Sequence, residues 1–90
     1  MKDKVIIITG ASSGIGKALA CECASRGARL VLAARNMDKL NEVGEELTKN
    51  GADLLLVQTD VSVEEQCKNL ISQAIAKYGR IDILINNAGI

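Results

Sequence analysis

The sequence predicts an α/β domain in which four parallel strands alternate with three helices. Residues 5–8 are all β-branched, and this run is too short for an ordinary helix but suits a strand buried on both faces of a parallel sheet. A glycine-rich turn follows at once, and after it the apolar residues recur with a helical period. Three further glycines each separate a helical pattern from a strand-like run, which is typical of βαβ units with right-handed crossovers.

The helices are predicted from apolar residues that recur about every 3.6 positions. The first helix has its apolar face at Ile15, Leu19 and Cys23. The second helix is predicted at about residues 38–49 and the third at about residues 63–78. Ser62 and Glu65 have the spacing of a capping box and are expected to begin the third helix.

The remaining strands are predicted from the runs that follow each helix. A left-handed C-cap is expected after each helical pattern, at Gly27, Gly51 and Gly79. The strand-like runs beyond these glycines cover residues 29–34, 54–59 and 81–85. In a doubly wound sheet the strand order would be 3-2-1-4, with the first two helices on one face and the third on the other. The fourth strand would then be an unpaired edge, which predicts self-association and a homo-oligomer.

Charge and composition exclude several classes of function. The chain of 90 residues has no net charge, which gives no support for nucleic acid or an anionic membrane as a partner. Its apolar runs are too short to span a bilayer, and a cytoplasmic location is expected. The chain contains no histidine, and no metal site is predicted because metal-ligand spacing is lacking at Cys21, Cys23 and Cys67.

The glycine-rich turn is predicted to bind an anion. Backbone N–H groups at the start of a helix have no partner within the helix, and the helix dipole favours negative charge there. A ligand can approach the backbone closely, and φ can be positive, at Gly10, Gly14 and Gly16. The pattern predicts a phosphate or dinucleotide site. The alternative is that the glycines only form the turn from strand to helix.

Three motifs, taken in order, resemble those of the short-chain dehydrogenase/reductase family of the classical type. Residues 9–16 read T-G-A-S-S-G-I-G and fit the family's TGxxxGxG turn. Asp60 and Val61 follow the third strand at the family's adenine position, and residues 86–89 read N-N-A-G, the family's motif after the fourth strand. The resemblance covers the whole chain. It implies that residues 1–90 are an NADP-binding Rossmann-type half-domain, truncated after the fourth strand.

The resemblance also implies which residues hold a nicotinamide dinucleotide. Its pyrophosphate would lie over Ser12, Ser13, Gly14, Ile15 and Gly16. The adenine would be received by Asp60 and the backbone of Val61, and the wall near the ribose and nicotinamide would be formed by Asn87, Ala88 and Gly89. Two alternatives are that Asp60 caps the turn leading to Ser62 and that the asparagines satisfy backbone groups at the strand end. The family interpretation is preferred for Asn87 and the structural one for Asn86.

The end of the second strand predicts NADP(H) in preference to NAD(H). An acidic residue there accepts hydrogen bonds from a ribose diol and repels a 2′-phosphate, whereas a basic residue does the reverse. Ala34 stands in the place of the acid and Arg35 follows it. A guanidinium binds a phosphate with charge-assisted hydrogen bonds of about 1.5–3 kcal/mol each. Lys17 and Lys39 are expected to add attraction.

No catalytic residue is predicted in this chain. The family transfers a hydride between NADP(H) and an alcohol or carbonyl substrate, and it uses a Tyr, a Lys four residues later, and a Ser. All three belong to later elements of the family's chain. Tyr78, the chain's sole tyrosine, is followed four residues on by Asp82, and its helical position predicts packing and not proton transfer.

Three other interpretations of the sequence compete with this one. A P-loop nucleotide hydrolase needs Gly at position 11 and Ser or Thr at position 18, where this chain has Ala11 and Ala18. An FMN-binding flavodoxin-like module conflicts with the glycine turn and with the absence of Trp and Phe. A non-catalytic nucleotide-binding module, or a fragment that assembles through its fourth strand, is the serious alternative.

Overall fold

A parallel sheet of four strands organises residues 2–88, the part of the chain that the computed structural model describes. The strands are β1 (Val5–Thr9), β2 (Arg29–Ala34), β3 (Asp53–Gln58) and β4 (Ile83–Asn86). The helices are α1 (Gly14–Ser25), α2 (Met37–Lys49) and α3 (Glu64–Tyr78). The sheet order is β3-β2-β1-β4, so the predicted doubly wound fold is confirmed.

The two faces of the sheet are covered by different helices, as expected. Helices α1 and α2 pack on one face, through buried residues that include Ala20, Cys23, Leu40 and Leu47. Helix α3 packs on the other face through Leu70 and Ala74. Strand β1 is buried along its whole length because it lies between two strands and beneath helices on both sides. This explains its unbroken β-branched sequence.

The ends of the helices agree with the predictions in one respect and differ in another. A left-handed backbone follows each helix, at Gly27, Gly51 and Gly79 (φ +83°, +86° and +78°). The predicted capping box is wrong, because the N-cap of α3 is Val63 and no side chain caps that helix. The Ser62 hydroxyl donates instead to Oδ1 of Asp60, at 2.6 Å. The Ser62 N–H donates to the same oxygen at 2.9 Å, so Ser62 belongs to the turn that Asp60 caps and not to the start of α3.

The buried face of α1 differs from the predicted one by a single position. Ile15 was expected to pack with Leu19 and Cys23, but it is 64% exposed. The helix instead buries Gly16, Ala20 and Cys23. Because Gly16 has no side chain, a pattern of apolar residues assigns the buried position to its larger neighbour, Ile15. In the described part of the chain, no helix is long and apolar enough to cross a bilayer.

Helix α1 begins in close contact with the turn after β1. A Cβ added to Gly16 would lie 2.8 Å from the carbonyl carbon of Gly10 and 2.9 Å from Cα of Ala11. These are backbone atoms, which cannot rotate away. By contrast, a Cβ added to Gly14 would meet no atom within 4 Å. Position 16 therefore requires glycine for packing, whereas position 14 does not.

We expect Gly16→Ala to lower the free energy of unfolding by about 1–3 kcal/mol, the cost of forcing extra volume into a packed site. Gly14→Ala is the matched control in the same turn. It should leave stability unchanged or raise it by up to about 1 kcal/mol, because alanine loses less backbone entropy in a helix. Urea unfolding followed by circular dichroism measures both variants. Equal stability of the two would contradict the packing argument.

The start of β4 is tied to the start of β1 by one carboxylate. The backbone N–H of Val5 donates to Oδ2 of Asp82 at 2.8 Å, and Nε of Arg80 donates to the same oxygen at 2.9 Å. These hydrogen bonds hold the pKa of Asp82 below its usual value. The backbone N–H of Asp82 also donates to the Val5 carbonyl at 2.9 Å, and β4 itself starts at Ile83, two residues later than predicted.

This interaction predicts a dependence of stability on pH. A carboxyl group whose pKa is lowered by folding stabilises the protein above its unfolded pKa of about 3.9, and this contribution is lost as the pH falls through the lowered value. We expect Asp82→Asn to be less stable than the unmodified chain at pH 7 and equally stable once Asp82 is protonated. Urea unfolding between pH 7 and strongly acidic pH measures this. A stability difference that stays constant with pH would contradict it.

Candidate functional site

A cavity of about 870 Å³ lies at the carboxyl ends of the strands. Its volume is within the range of small-molecule and cofactor sites, about 300–1,000 Å³. Its walls come from the turns after β1, β2 and β3 and from the residue that follows Asn87, and they comprise Gly10, Ser12, Ser13, Ala34, Arg35, Asn36, Lys39, Thr59, Asp60, Val61, Ser62 and Ala88. The first and fourth strands lie side by side here, which is where doubly wound sheets bind ligands.

The turn between β1 and α1 presents unpaired backbone donors. Gly10 has φ +64°, so the chain reverses sharply after the strand. Within residues 2–88, the N–H groups of Ser12, Gly14 and Ile15 donate no hydrogen bond. The first turn of α1 carries no acidic residue. Free amides at a helix N-terminus, without a nearby carboxylate in that turn, form a site for an anion.

Residues at the end of β4 form hydrogen bonds with the end of β1 and with the β1–α1 turn. The side-chain amide of Asn87 donates to the Gly10 carbonyl at 3.1 Å and to Oγ of Ser13 at 3.0 Å. The Thr9 hydroxyl donates to Oδ1 of Asn86 at 3.1 Å and accepts from the N–H of Ala88 at 3.2 Å. Both asparagines therefore bind the backbone or side chains of the β1 turn. Asn87 is buried behind that turn and is not among the residues that line the cavity.

Asp60 caps its own turn and still faces the cavity. Its Oδ1 accepts from the N–H of Ser62 at 2.9 Å and from the Ser62 hydroxyl. These bonds hold the pKa of Asp60 below its usual value, and the charge of Arg35 lowers it further. Oδ2 of Asp60 accepts no hydrogen bond from any described residue. The capping interpretation is thus what the structure shows, and one carboxylate oxygen is left to accept from a ligand.

Arg35 and Lys39 line the cavity, whereas Lys17 does not. Arg35 and Lys39 are both exposed there, and neither forms a salt bridge with another residue in the range 2–88. The backbone of Arg35 is fixed by Gln58, whose Nε2 donates to the Arg35 carbonyl at 3.1 Å. Lys17 instead pairs with Glu46 of α2 at 2.6 Å, so its charge is neutralised away from the cavity. Ala34 leaves no carboxylate beside Arg35.

Tyr78 lies at the opposite end of the sheet. Its hydroxyl donates to Oδ1 of Asp53, the first residue of β3, at 2.7 Å. Burial, together with this carboxylate, raises the pKa of Tyr78 well above its ordinary value. The phenol is therefore still less suited to proton transfer near neutral pH. Among the described residues, no cluster of His, Cys, Asp and Glu side chains could hold a metal ion.

The structure brings most of the predicted binding residues together. Seven line the cavity, namely Gly10, Ser12, Ser13, Arg35, Asp60, Val61 and Ala88. Gly14 and Ile15 are exposed on the first turn of α1, Gly16 and Asn87 are buried behind it, and Gly89 lies outside the described residues. Sequence reasoning missed Asn36 and Thr59 as lining residues. The available signal was that Asn36 is the second residue after β2 and Thr59 the first after β3.

Comparison with known proteins finds one family model and several relatives that match this chain. A family model described as short chain dehydrogenase matches residues 4–90. An uncharacterized oxidoreductase of Listeria monocytogenes is 49% identical over 90 residues, covering 100% of this chain and 36% of that protein. The 11-beta-hydroxysteroid dehydrogenase A of Sesamum indicum is 52% identical over 88 residues, covering 97% of this chain and 25% of that protein. The chain thus spans about a third or less of the length of these relatives.

Solved structures show the same fold with dinucleotides bound. The L-sorbose reductase of Gluconobacter frateurii, complexed with NADPH and L-sorbose, superposes with a TM-score of 0.95 at 41% identity, covering 100% of this chain and 35% of that one. A short-chain dehydrogenase/reductase of Burkholderia phymatum in complex with NAD gives a TM-score of 0.91 at 38% identity, covering 92% of this chain and 30% of that one. On the motifs, the sheet order and these matches, the chain belongs to the short-chain dehydrogenase/reductase family.

Proposed function

We propose that this chain is the NADP(H)-binding portion of a short-chain dehydrogenase/reductase. The parent enzyme would transfer a hydride between NADP(H) and an alcohol or carbonyl substrate. The observation that supports this best is that one cavity is lined both by Ser12, whose amide donates no hydrogen bond within residues 2–88, and by Arg35, which forms no salt bridge there. Two anion-binding groups at separate points of one cavity fit a ligand with a pyrophosphate and a second phosphate.

The turn fits the pyrophosphate. Within residues 2–88, the amides of Ser12, Gly14 and Ile15 have no hydrogen-bond acceptor and are free to donate to a ligand. The partial positive charge at the N-terminus of α1 adds to the attraction. The adenine end would lie against Val61 and Asp60, whose free Oδ2 can accept a hydrogen bond from an exocyclic amino group.

Arg35 fits the additional phosphate of NADP(H). Its guanidinium offers a planar pair of donors that matches a phosphate, and Lys39 adds a second positive charge at the same wall. Each charge-assisted hydrogen bond contributes about 1.5–3 kcal/mol, which corresponds to roughly tenfold to hundredfold in affinity. With Ala34 in place of an acid, NAD(H) lacks the acceptor for its ribose hydroxyls.

When bound, the nicotinamide would supply or accept the hydride, and the residues of this chain would bind and orient it. We assign no proton-transfer residue here, because Tyr78 points to the other end of the sheet. We also propose a cytoplasmic location.

A second candidate is a non-catalytic module that binds a nucleotide or assembles through β4. The observation that favours it is the outer edge of β4, which pairs with no other described strand, and the 55% exposure of Leu84 on that strand. A P-loop hydrolase is disfavoured, because Ala18 offers no hydroxyl for a magnesium ion.

The cofactor preference is tested by titrating NADPH and NADH against the chain. We expect NADPH to bind roughly tenfold to hundredfold more tightly, and Ala34→Asp combined with Arg35→Ala to abolish or reverse that ratio. Arg26→Ala is the matched control, because Arg26 pairs with Glu22 at the far end of α1. An unchanged ratio in the double variant would refute the assignment of Arg35.

The self-assembly of the 90-residue chain is tested by sedimentation. The β4 edge carries neither Lys nor Pro, the residues that block strand pairing, so we expect a dimer or larger species that grows with concentration. Leu84→Lys should shift the equilibrium toward monomer, because a charge on an edge strand opposes pairing. A monomer at all concentrations would contradict this prediction. Measurable dehydrogenation by the 90-residue chain would refute the non-catalytic candidate.

A further inference from the structure

Ser13 differs from Ser12 in how its side chain is used, although both residues line the cavity. A serine hydroxyl has one hydrogen to donate and two lone pairs to accept. The Ser13 hydroxyl donates to the Gly10 carbonyl at 2.8 Å, and it accepts from the N–H of Gly16 at 3.1 Å and from Nδ2 of Asn87 at 3.0 Å. Its hydrogen-bonding capacity is therefore filled by the protein.

The backbone of Ser13 is occupied as well. Its N–H donates to the Gly10 carbonyl at 3.1 Å, and its carbonyl accepts from the N–H of Lys17 at 2.8 Å. The Ser12 hydroxyl, in contrast, makes no hydrogen bond to any residue in the range 2–88. A phosphate in the cavity can thus bind Ser12 without breaking a bond, but can bind the Ser13 side chain only by displacing one.

The hydrogen bonds of Ser13 join three elements that must keep a fixed relation. Gly10 begins the turn after β1, Gly16 belongs to the first turn of α1, and Asn87 follows β4. Asn87 is 8% exposed, and both hydrogens of its amide are used in this contact. The free amides of Gly14 and Ile15 lie between the two ends of the Ser13–Gly16 bond, so their direction depends on it.

We propose that Ser13 is a positioning residue and not a ligand: held by Asn87, its hydroxyl orients the first turn of α1 so that the amides of Gly14 and Ile15 face the pyrophosphate. This inference rests on the proposed function for the identity of the ligand. It assigns the direct side-chain contact to Ser12. It also makes the end of β4 part of the anion site, since Asn87 acts on the ligand through Ser13.

The test compares Ser13→Ala, Ser13→Thr and Ser12→Ala in the complete 90-residue chain. We expect Ser13→Ala to weaken NADPH binding about tenfold and Ser13→Thr, which restores the hydroxyl, to recover most of it. The nuclear magnetic resonance signals of the Gly14 and Ile15 amides, recorded without ligand, should move in Ser13→Ala, return in Ser13→Thr and stay unchanged in Ser12→Ala. A residue that only stabilised the fold would change the urea midpoint and leave these signals and the affinity of the folded chain unaltered.

A double-mutant cycle with Asn87→Ala separates positioning from direct binding. If Ser13 acts through Asn87, the losses in NADPH affinity from Ser13→Ala and Asn87→Ala will not add, whereas those from Ser12→Ala and Asn87→Ala will. Additive losses for the Ser13 pair, or unweakened binding by Ser13→Ala, would overturn the inference. Should Asn87→Ala fail to fold, the amide signals and the threonine variant decide it.

The same data distinguish this inference from the proposed function. Failure of the unmodified chain to bind NADPH would count against the proposed function. The amide signals of the ligand-free variants would still show whether Ser13 orients the turn.

Discussion

The close contact between the start of α1 and the end of β1 is the constraint on which the site depends. Gly16 lies so near the backbone of Gly10 and Ala11 that no side chain fits between them. This contact brings the helix N-terminus to the carboxyl edge of the sheet, where the cavity opens. The unpaired amides and the helix dipole then act at the same point. Without the contact, the turn would have the same residues but no common direction for its donors.

Which charges face the cavity depends on ion pairing as well as on position in the sequence. Lys17 follows the turn directly, yet its ion pair with Glu46 draws its charge toward α2. Arg35 has no such partner among the described residues, and its charge acts on the cavity and on Asp60. Asp60 is kept ionised by its own turn and so remains an acceptor at neutral pH. The cavity therefore has an acceptor at one wall and a cation at another, which suits an adenosine carrying a phosphate.

The fourth strand links the stability of the sheet to the site. Its first residues are anchored to β1 by Asp82, and its last residues return to the β1 turn through Asn86, Asn87 and Ala88. The strand is thus fixed at both ends on its inner side while its outer edge is unpaired within residues 2–88. The relatives named above are about three to four times as long as this chain.

The sequence by itself determined the order of the elements, the sheet topology and the position of the turn. These follow from local patterns, because a β-branched run such as Val5–Thr9 and a glycine after a helix restrict the backbone wherever they occur. Only the tertiary structure decided which polar groups pair. The capping box at Ser62 was wrong because α3 begins one residue later than that motif requires, with Val63 as its N-cap. Ile15 proved exposed because Gly16 must face the strand, and Ser13 proved to be occupied by Asn87, which lies 74 residues away in sequence. Hydrogen bonds between distant segments depend on distances in space, and local sequence patterns carry no record of those distances.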